Sequence, residues 1–206
     1  MLIICHRINT IEELKKIPSE YGVEVDVRGY GSKLVLTHEP VNEQGKYDEL
    51  EEYLKNFNHR FIVFNIKEAG YEKIVISLAE KYNIYDYFLL DVEFPYLYQA
   101  TRKEGFRKIA VRYSESEPIE SVEAQIDKEG NFLLDWVWID TNTRLPLDNG
   151  AVKKLSGFKT CLVCPERWGR PQDIEEYAKK IKELGLNLNA VMTNIKYAYK
   201  WKSLFN

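Results

Sequence analysis

Residues 22–40, GVEVDVRGYGSKLVLTHEP, contain two extended runs separated by a turn rich in glycine. The alternation of residues over 23–27 predicts a strand. The glycines in 29–31 predict a tight turn, and the run over 33–38 is a second extended segment after that turn. We therefore expect a strand that doubles back on itself and ends at a histidine.

Three polar side chains in this stretch are out of place in an ordinary buried strand. Glu24 and Asp26 lie inside the first run, and His38 ends the second. Residues two apart on a strand point to the same face, so the two carboxylates share one face of the predicted strand. A similar arrangement occurs at the start of the chain, where the apolar run LIIC leads directly into the polar residues His6 and Arg7.

Short apolar runs and amphipathic helical stretches alternate along the rest of the chain. Further strands are predicted at 2–6, 60–68, 86–94, 108–115, 133–141, 159–166 and 188–194. Helices are predicted at 10–21, 46–57, 71–82, 95–105, 120–126, 150–158, 171–185 and 196–204, with Thr10 and Glu13 forming a capping box. Eight strand–helix units predict a small (βα)8 TIM barrel, with an open doubly wound parallel sheet as the alternative.

Length and composition limit the class of protein. The 206 residues fit one domain, 1–206, and 45% apolar with 30% charged residues is an ordinary globular balance. A net charge of −3 argues against a partner that is a nucleic-acid polymer. The apolar run at the N-terminus is too short for a signal peptide, and no run approaches the ~18 residues of a membrane span. We therefore expect a cytoplasmic protein.

The three cysteines, Cys5, Cys161 and Cys164, argue against a disulfide framework because their number is odd. Cys161 and Cys164 have C-x-x-C spacing but lie in a predicted strand, where residues three apart face opposite sides. We interpret them as small buried side chains.

A barrel predicts that functional side chains lie at the carboxyl ends of its strands. A single aspartate there is usually a helix cap, but here every predicted strand ends in a polar or aromatic side chain. His59 precedes its strand, so we assign it no role. The side chains at the predicted strand ends are, in chain order, His6, Glu24, Asp26, Asn65, Lys67, Asp91, Glu93, Arg112, Trp138, Asp140, Glu166 and Asn194.

The types of side chain indicate a chemistry. Carboxylates spaced like Glu24 and Asp26 suit a hard divalent cation. Histidines suit proton transfer near neutral pH. The cations Arg7, Lys67 and Arg112 suit an anionic substrate, above all a phosphate.

In this order, the motifs resemble those of the glycerophosphodiester phosphodiesterase family. The family has a His-Arg pair, then Glu-x-Asp, then His-Asp, all in the first third of a (βα)8 barrel. This chain has His6-Arg7, Glu24-x-Asp26 and His38-Glu39. The resemblance extends to Thr193-Asn194, which is similar to the family's Trp-Thr-x-Asn region.

The resemblance implies a metal-dependent phosphodiester hydrolase of lipid metabolism that acts on a small phosphorylated substrate. His6 and His38 would be its acid and base, and Arg7 and Lys67 would bind the phosphate. Glu24 and Asp26 would hold Ca²⁺ or Mg²⁺, with Asn65 in the place of a third carboxylate and Glu93 as its possible substitute.

The chain also departs from the family pattern. Asn65-Ile-Lys67 lies where the family has Glu-x-Lys, and Glu39 follows His38 where the family has aspartate. The family's inserted domain after His38 has no room, because a helix is predicted from 46. Two alternatives therefore stay open. One is a weakly active or inactive barrel that binds a phosphorylated sugar or nucleotide, and the other is a lyase or isomerase that uses Lys67.

Overall fold

The computed structural model describes residues 1–205, in which nine strands alternate with eight α-helices. The strands are β1 (Leu2–Cys5), β2 (Gly22–Tyr30), β3 (Lys33–Leu36), β4 (Phe61–Ile66), β5 (Tyr87–Leu90), β6 (Ala110–Tyr113), β7 (Trp136–Ile139), β8 (Lys159–Val163) and β9 (Ala190–Thr193). The helices are α1 (Ile11–Leu14), α2 (Leu50–Lys55), α3 (Glu72–Lys81), α4 (Phe94–Arg102), α5 (Glu120–Glu123), α6 (Asn149–Leu155), α7 (Ile174–Glu183) and α8 (Ile195–Leu204). Two short 3-10 helices, Pro165–Trp168 and Pro171–Asp173, precede α7.

The strand order identifies the fold class. Apart from β3, the strands follow one another as β5-β4-β2-β1-β9-β8-β7-β6, and β3 pairs only with β2. The pairings of β1 with β2, β2 with β4, β4 with β5, β6 with β7, β7 with β8 and β8 with β9 are all parallel. Parallel strands that alternate with helices in this order form a (βα)8 TIM barrel, so the predicted fold class is confirmed.

The chain divides into two compact units, which we describe separately. The first unit, Ile4–Leu97, contains β2 to β5 and the end of β1. Its strands consist largely of buried apolar residues, as expected for parallel strands covered by helices. The second unit, residues 1–3 and 98–205, contains β6 to β9, and Leu2 donates a 2.8 Å backbone hydrogen bond to Asn189. The expectation of a single domain stays a prediction.

The hairpin predicted within 22–40 is present in the first unit. Strand β2 pairs with β4 as far as Val27 and then continues to Tyr30, where β3 turns back antiparallel to it. Gly31 lies in the turn with φ of +60°, a conformation that favours glycine. A Cβ at Gly29 would lie 2.0 Å from the Tyr71 hydroxyl, so the hairpin packs against this tyrosine through a residue without a side chain.

Two predicted helices in this unit are shorter than expected. The Thr10–Glu13 capping box is confirmed, but α1 ends at Leu14 instead of continuing to 21. Helix α2 begins at Leu50 instead of 46, because Asp48 accepts a 3.0 Å backbone hydrogen bond from Leu36 of β3. Pairing with the hairpin therefore keeps the chain extended where the local pattern predicts a helix.

The expectation of buried cysteines is also confirmed. Cys161, Cys164 and Cys5 are fully buried, and none of them forms a disulfide. Burial raises the pKa of the Cys5 thiol to about 12, and it also raises the pKa of the Cys164 thiol well above its usual range. Within residues 1–205, no helix is long and apolar enough to cross a membrane.

Candidate functional site

A buried polar cluster lies at the carboxyl ends of neighbouring strands in the first unit. Glu24 and Asp26 of β2 are 1% and 0% exposed, and Asn65 of β4 is 6% exposed. The parallel register pairs Asp26 directly with Asn65. Asn65 Nδ2 donates a 2.9 Å hydrogen bond to Glu24 Oε1, so the two strands are joined by side chains as well as by backbone.

The loop after β1 brings further polar groups to this cluster. Ile8 donates a backbone hydrogen bond of 2.9 Å to the Glu24 carbonyl, which holds the loop beside β2. Arg7 has φ of 52°, an unusual conformation for a residue with a side chain. In this conformation its backbone N–H donates a 2.8 Å hydrogen bond to Glu24 Oε2. Strained backbone of this kind is typical of functional sites.

Asp26 lies between two cations and an amide. Lys67 Nζ is 3.1 Å from Asp26 Oδ1, and Arg7 Nε is 4.0 Å from Oδ2. Asn9 bonds to Asp26 twice, since its Nδ2 donates to Oδ2 over 2.9 Å and its Oδ1 accepts from the Asp26 backbone over 2.8 Å. The carboxylate is therefore fixed in orientation, and its charge is compensated even though it is fully buried.

The environment of Glu24 differs from that of Asp26. Burial, followed by the charge of Asp26, raises the pKa of Glu24 to about 7, although the hydrogen bond from Asn65 opposes this increase. His6 Nε2 is 3.9 Å from Glu24 Oε2, and the His6 side chain is 19% exposed. A carboxyl group that ionises near neutral pH thus lies beside a partly exposed imidazole, and such a pairing can move protons.

The hairpin holds His38 next to the part of β2 that carries Asp26. Thr37 donates a 3.0 Å backbone hydrogen bond to the Asp26 carbonyl, and His38 follows directly. His38 Nδ1 is 2.8 Å from Glu39 Oε1. This contact lowers the pKa of Glu39, to which the charge of Arg7 also contributes. The His38–Glu39 pair is therefore within electrostatic range of the Arg7 guanidinium, with the His38 side chain 36% exposed.

The structure brings most of the predicted site residues together in the first unit. His6, Arg7, Glu24, Asp26, Asn65 and Lys67 are joined by the contacts given above. Glu93 is exposed and directly precedes α4, and within residues 1–205 no three His, Cys, Asp or Glu side chains are grouped as metal ligands. The structure therefore does not bring Glu93 to the carboxylate pair as a third acidic ligand.

Other strand-end residues lie in the second unit and have local partners there. Arg112 forms an ion pair with Asp140, the residue that follows β7. Thr193 donates its hydroxyl to Glu166, and Asn194 accepts from the Lys196 backbone as the N-cap of α8. Asn194 thus has the capping role that is common for such residues. The roles of Arg112 in substrate binding and of Glu93 in metal binding stay predictions.

Sequence reasoning missed three polar residues of the first unit. Asn9 orients Asp26, Arg28 contacts the His38 backbone, and Glu68 pairs with Arg28. For Arg28 a signal was available, because it lies two residues after Asp26 on a strand and therefore on the same face. For Asn9 and Glu68 the path of a loop decides the contact, and no spacing rule gives that path.

The side-chain oxygens of the buried cluster are of the type that binds a hard cation, but there are few of them. Asn65 Oδ1 and Asp26 Oδ1 are buried and accept no hydrogen bond, although Lys67 makes its ion pair with the latter. Carboxylate and amide oxygens are the ligands that Ca²⁺ and Mg²⁺ prefer. Glu24, Asp26 and Asn65 are therefore the residues that could hold such an ion.

Comparison with known proteins supports the fold. No protein-family model matches the chain, and no curated protein is significantly similar to it in sequence. A glycerophosphoryl diester phosphodiesterase from Parabacteroides distasonis is similar in structure, with a TM-score of 0.65 and 11% identity over 99% of this chain and 86% of that one. A glycerophosphodiester phosphodiesterase from Agrobacterium tumefaciens has a TM-score of 0.58 and 13% identity over 93% of this chain and 95% of that one. The resemblance in fold is therefore confirmed.

Proposed function

We propose that this protein is a metal-dependent phosphodiesterase that hydrolyses a small phosphodiester, with His6 and His38 as its acid and base. The observation that carries the proposal is the buried Glu24–Asp26 pair, which lies among His6, Arg7 and Lys67 at the carboxyl ends of adjacent strands. The fold that surrounds it is shared with two solved phosphodiesterases of this kind.

The histidines would carry the proton transfers. His38 Nδ1 contacts Glu39, and when Nδ1 donates to that carboxylate, the Nε2 atom holds the lone pair and can accept a proton. His6 Nε2 lies 3.9 Å from Glu24 Oε2, so this imidazole is at the edge of the carboxylate pair, where it can donate or accept a proton near neutral pH. Hydrolysis needs one proton removed from the nucleophile and one delivered to the leaving oxygen, and two imidazoles meet that need.

Arg7 and Lys67 would bind the phosphate. Both lie beside Asp26 and keep exposed surface, with side-chain exposures of 33% and 16%. A phosphoryl oxygen could therefore bind to them from solvent while Asp26 holds them in place. Their charges would stabilise the negative charge that grows on the phosphoryl oxygens in the transition state.

Glu24, Asp26 and Asn65 would hold a divalent cation, Ca²⁺ or Mg²⁺. When bound, such a cation neutralises phosphate charge and favours attack on phosphorus. Asn65 supplies a neutral oxygen where a carboxylate would supply charge, so the affinity would be modest. The buried Oδ1 atom of Asn65, which accepts no hydrogen bond, supports this assignment.

A panel of phosphodiesters tests the proposal, with purified protein incubated in turn with Ca²⁺, Mg²⁺ and Mn²⁺. We expect release of a phosphomonoester and an alcohol from at least one glycerophosphodiester-like substrate, and loss of that activity in a chelator. Phosphomonoesters serve as the control substrates and should not be hydrolysed. Failure to cleave any phosphodiester with any of the cations would overturn the proposal.

A second candidate is a barrel that binds a phosphorylated sugar or nucleotide without turnover. Asn65 favours it, because an asparagine in place of a carboxylate leaves the proposed cation site with one negative charge fewer. The Asn65 side chain also donates a hydrogen bond to Glu24. In that case Arg7 and Lys67 would bind the phosphate, and the same panel would give binding heats without products. The lyase or isomerase alternative loses support, because the Lys67 amine is engaged in its ion pair with Asp26.

A further inference from the structure

Arg28 lies on the same face of β2 as Glu24 and Asp26 and makes contacts that do not involve either carboxylate. Its Nη2 and Nε donate to the His38 carbonyl over 3.0 and 3.3 Å. Its Nη1 donates to Glu68 Oε1 over 2.9 Å. The Arg28 side chain is 16% exposed and that of Glu68 is 39% exposed, so the guanidinium is largely shielded from water while the carboxylate is partly open to it.

Glu68 links this arginine to the backbone of the hairpin. Its second oxygen, Oε2, accepts a 3.1 Å hydrogen bond from the Gly29 backbone. Glu68 directly follows Lys67, whose backbone N–H donates to the Val27 carbonyl over 3.0 Å. Both carboxylate oxygens of Glu68 are therefore bound, and the end of β4 is tied to the hairpin through one side chain. We call Arg28 and Glu68 the hairpin clamp.

The clamp acts at the end of the hairpin, just beyond its last backbone bond to β2. Strand β3 has four residues, pairs only with β2 within the sheet, and its last backbone bond to β2 is made by Thr37. After Thr37 the chain leaves β2, and the clamp holds the next carbonyl, that of His38. The planar guanidinium donates in a fixed fork, so it restricts the direction of this carbonyl as well as its position.

We propose that Arg28 is a positioning residue that, oriented by Glu68, fixes the His38 backbone and thereby sets the position of the His38–Glu39 pair at the end of the hairpin. The role in catalysis rests on the proposed function, whereas the effect on His38 does not. An imidazole on a mobile segment would sample several positions, and a misplacement of about 1 Å is enough to lower a rate about a hundredfold.

Two readouts test the proposal. Histidine labelled with ¹³C in its ring gives signals from only three residues, His6, His38 and His59. In Arg28→Ala we expect the His38 signal to shift and broaden while the His59 signal is unchanged. The second readout is hydrolysis of a phosphodiester, for which we expect kcat to fall tenfold or more with KM changed less than threefold.

Matched variants separate positioning from general stability. Lys33→Ala removes the Lys33–Glu49 ion pair at the opposite end of β3, and it should leave the His38 signal unchanged. Arg28→Lys keeps the charge but loses the fork, and it should restore the signal only in part. If Arg28→Ala does not fold, Glu68→Gln tests the same link, because it replaces one of the two carboxylate oxygens that accept separately from Arg28 and Gly29 with an NH2 group.

The outcomes are distinguishable. An unchanged His38 signal in a folded Arg28→Ala or Glu68→Gln protein would overturn the proposal, whatever the activity. A changed signal with no phosphodiester cleaved by the wild-type protein would leave the clamp supported and the proposed function refuted. A changed signal with an unchanged kcat would overturn the catalytic role of Arg28.

Discussion

Asn65 donates a 2.9 Å hydrogen bond from its side-chain nitrogen to Glu24 Oε1, across the pairing of β2 with β4. The amide thus engages the carboxylate through its donor and leaves its own oxygen, Oδ1, buried without a hydrogen bond. A carboxylate at 65 would repel Glu24 instead. The choice of an amide or a carboxylate at position 65 therefore decides how much negative charge the cluster carries and how much it depends on a bound cation.

Asn65→Asp should lower the stability of the metal-free protein and raise its affinity for a divalent cation. In chelator we expect a loss of about 2 kcal/mol in the free energy of unfolding, because a donor to Glu24 is removed and a buried negative charge is added. Calorimetry should then show tighter binding of Ca²⁺ or Mg²⁺ than in the wild type. Asn42→Asp, in an exposed turn, is the control and should change neither quantity. Unaltered cation binding in Asn65→Asp would contradict the assignment of Asn65 to the cation site.

Asp26→Asn should abolish cation binding. Asp26 is fully buried, and its Oδ1 accepts no hydrogen bond and has the Lys67 ammonium at 3.1 Å as its ion-pair partner, so this oxygen is a candidate metal ligand. Calorimetric titration with Ca²⁺, Mg²⁺ and Mn²⁺ should give heat with wild-type protein and none with the variant. Glu12→Gln, which alters an exposed carboxylate, serves as the control. Equal heats in wild type and Asp26→Asn would refute the cation site.

Lys67→Met should destabilise the protein strongly. It leaves the fully buried Asp26 carboxylate without its nearest cation, and such a break typically costs 3 to 5 kcal/mol, so we expect about 3 kcal/mol. Urea unfolding in chelator measures it. Lys16→Met breaks an exposed pair with Glu12 and should have little effect on stability, because solvent screens such pairs. Similar losses in the two variants would mean that Lys67 does not compensate Asp26.

Glu24 should make stability depend on pH. Its pKa is about 7 in the folded protein and about 4.5 without the fold, so between these values the folded state binds more protons. Stability should therefore fall as pH rises from about 4.5 to about 7, by about 3 kcal/mol in total. Urea unfolding in chelator at pH 5 and pH 8 measures the change. Glu24→Gln should remove this contribution, whereas Glu12→Gln should retain it. A pH dependence that is the same in Glu24→Gln and wild type would contradict the raised pKa.

Much of the fold follows from local patterns. Each apolar run from which a strand was predicted contains one, because parallel strands covered on both faces need apolar residues throughout. Helix α7, for example, follows its amphipathic pattern and ends at Glu183, just before Gly185. Errors occur where a distant part of the chain intervenes. Helix α2 starts late because Asp48 pairs with the hairpin, and no local pattern in residues 46–49 indicates this contact.

The candidate site was predictable to a similar extent. Glu24, Asp26 and Asn65 lie in strands, whose alternation gives the face of each side chain, and all three are in the cluster. Residues on loops could not be placed in this way. The double hydrogen bond of Asn9 to Asp26 depends on the turn at Arg7, whose positive φ no sequence rule predicts. The ion pair of Arg112 with Asp140, which follows the neighbouring strand β7, is likewise a contact between distant residues that no local pattern indicates.

Hydrolysis of bis(p-nitrophenyl) phosphate by histidine variants tests the central claim most directly. With saturating Mg²⁺ or Ca²⁺, His6→Ala and His38→Ala should each lower kcat by about 10² to 10⁴, the usual contribution of a general acid or base. His59→Ala should retain most activity, because His59 bonds the Ile17 carbonyl and precedes β4, away from the strand ends that carry the site. Circular dichroism should show all three variants folded. A wild-type protein that cleaves the ester while both His6→Ala and His38→Ala keep its full rate would contradict the account.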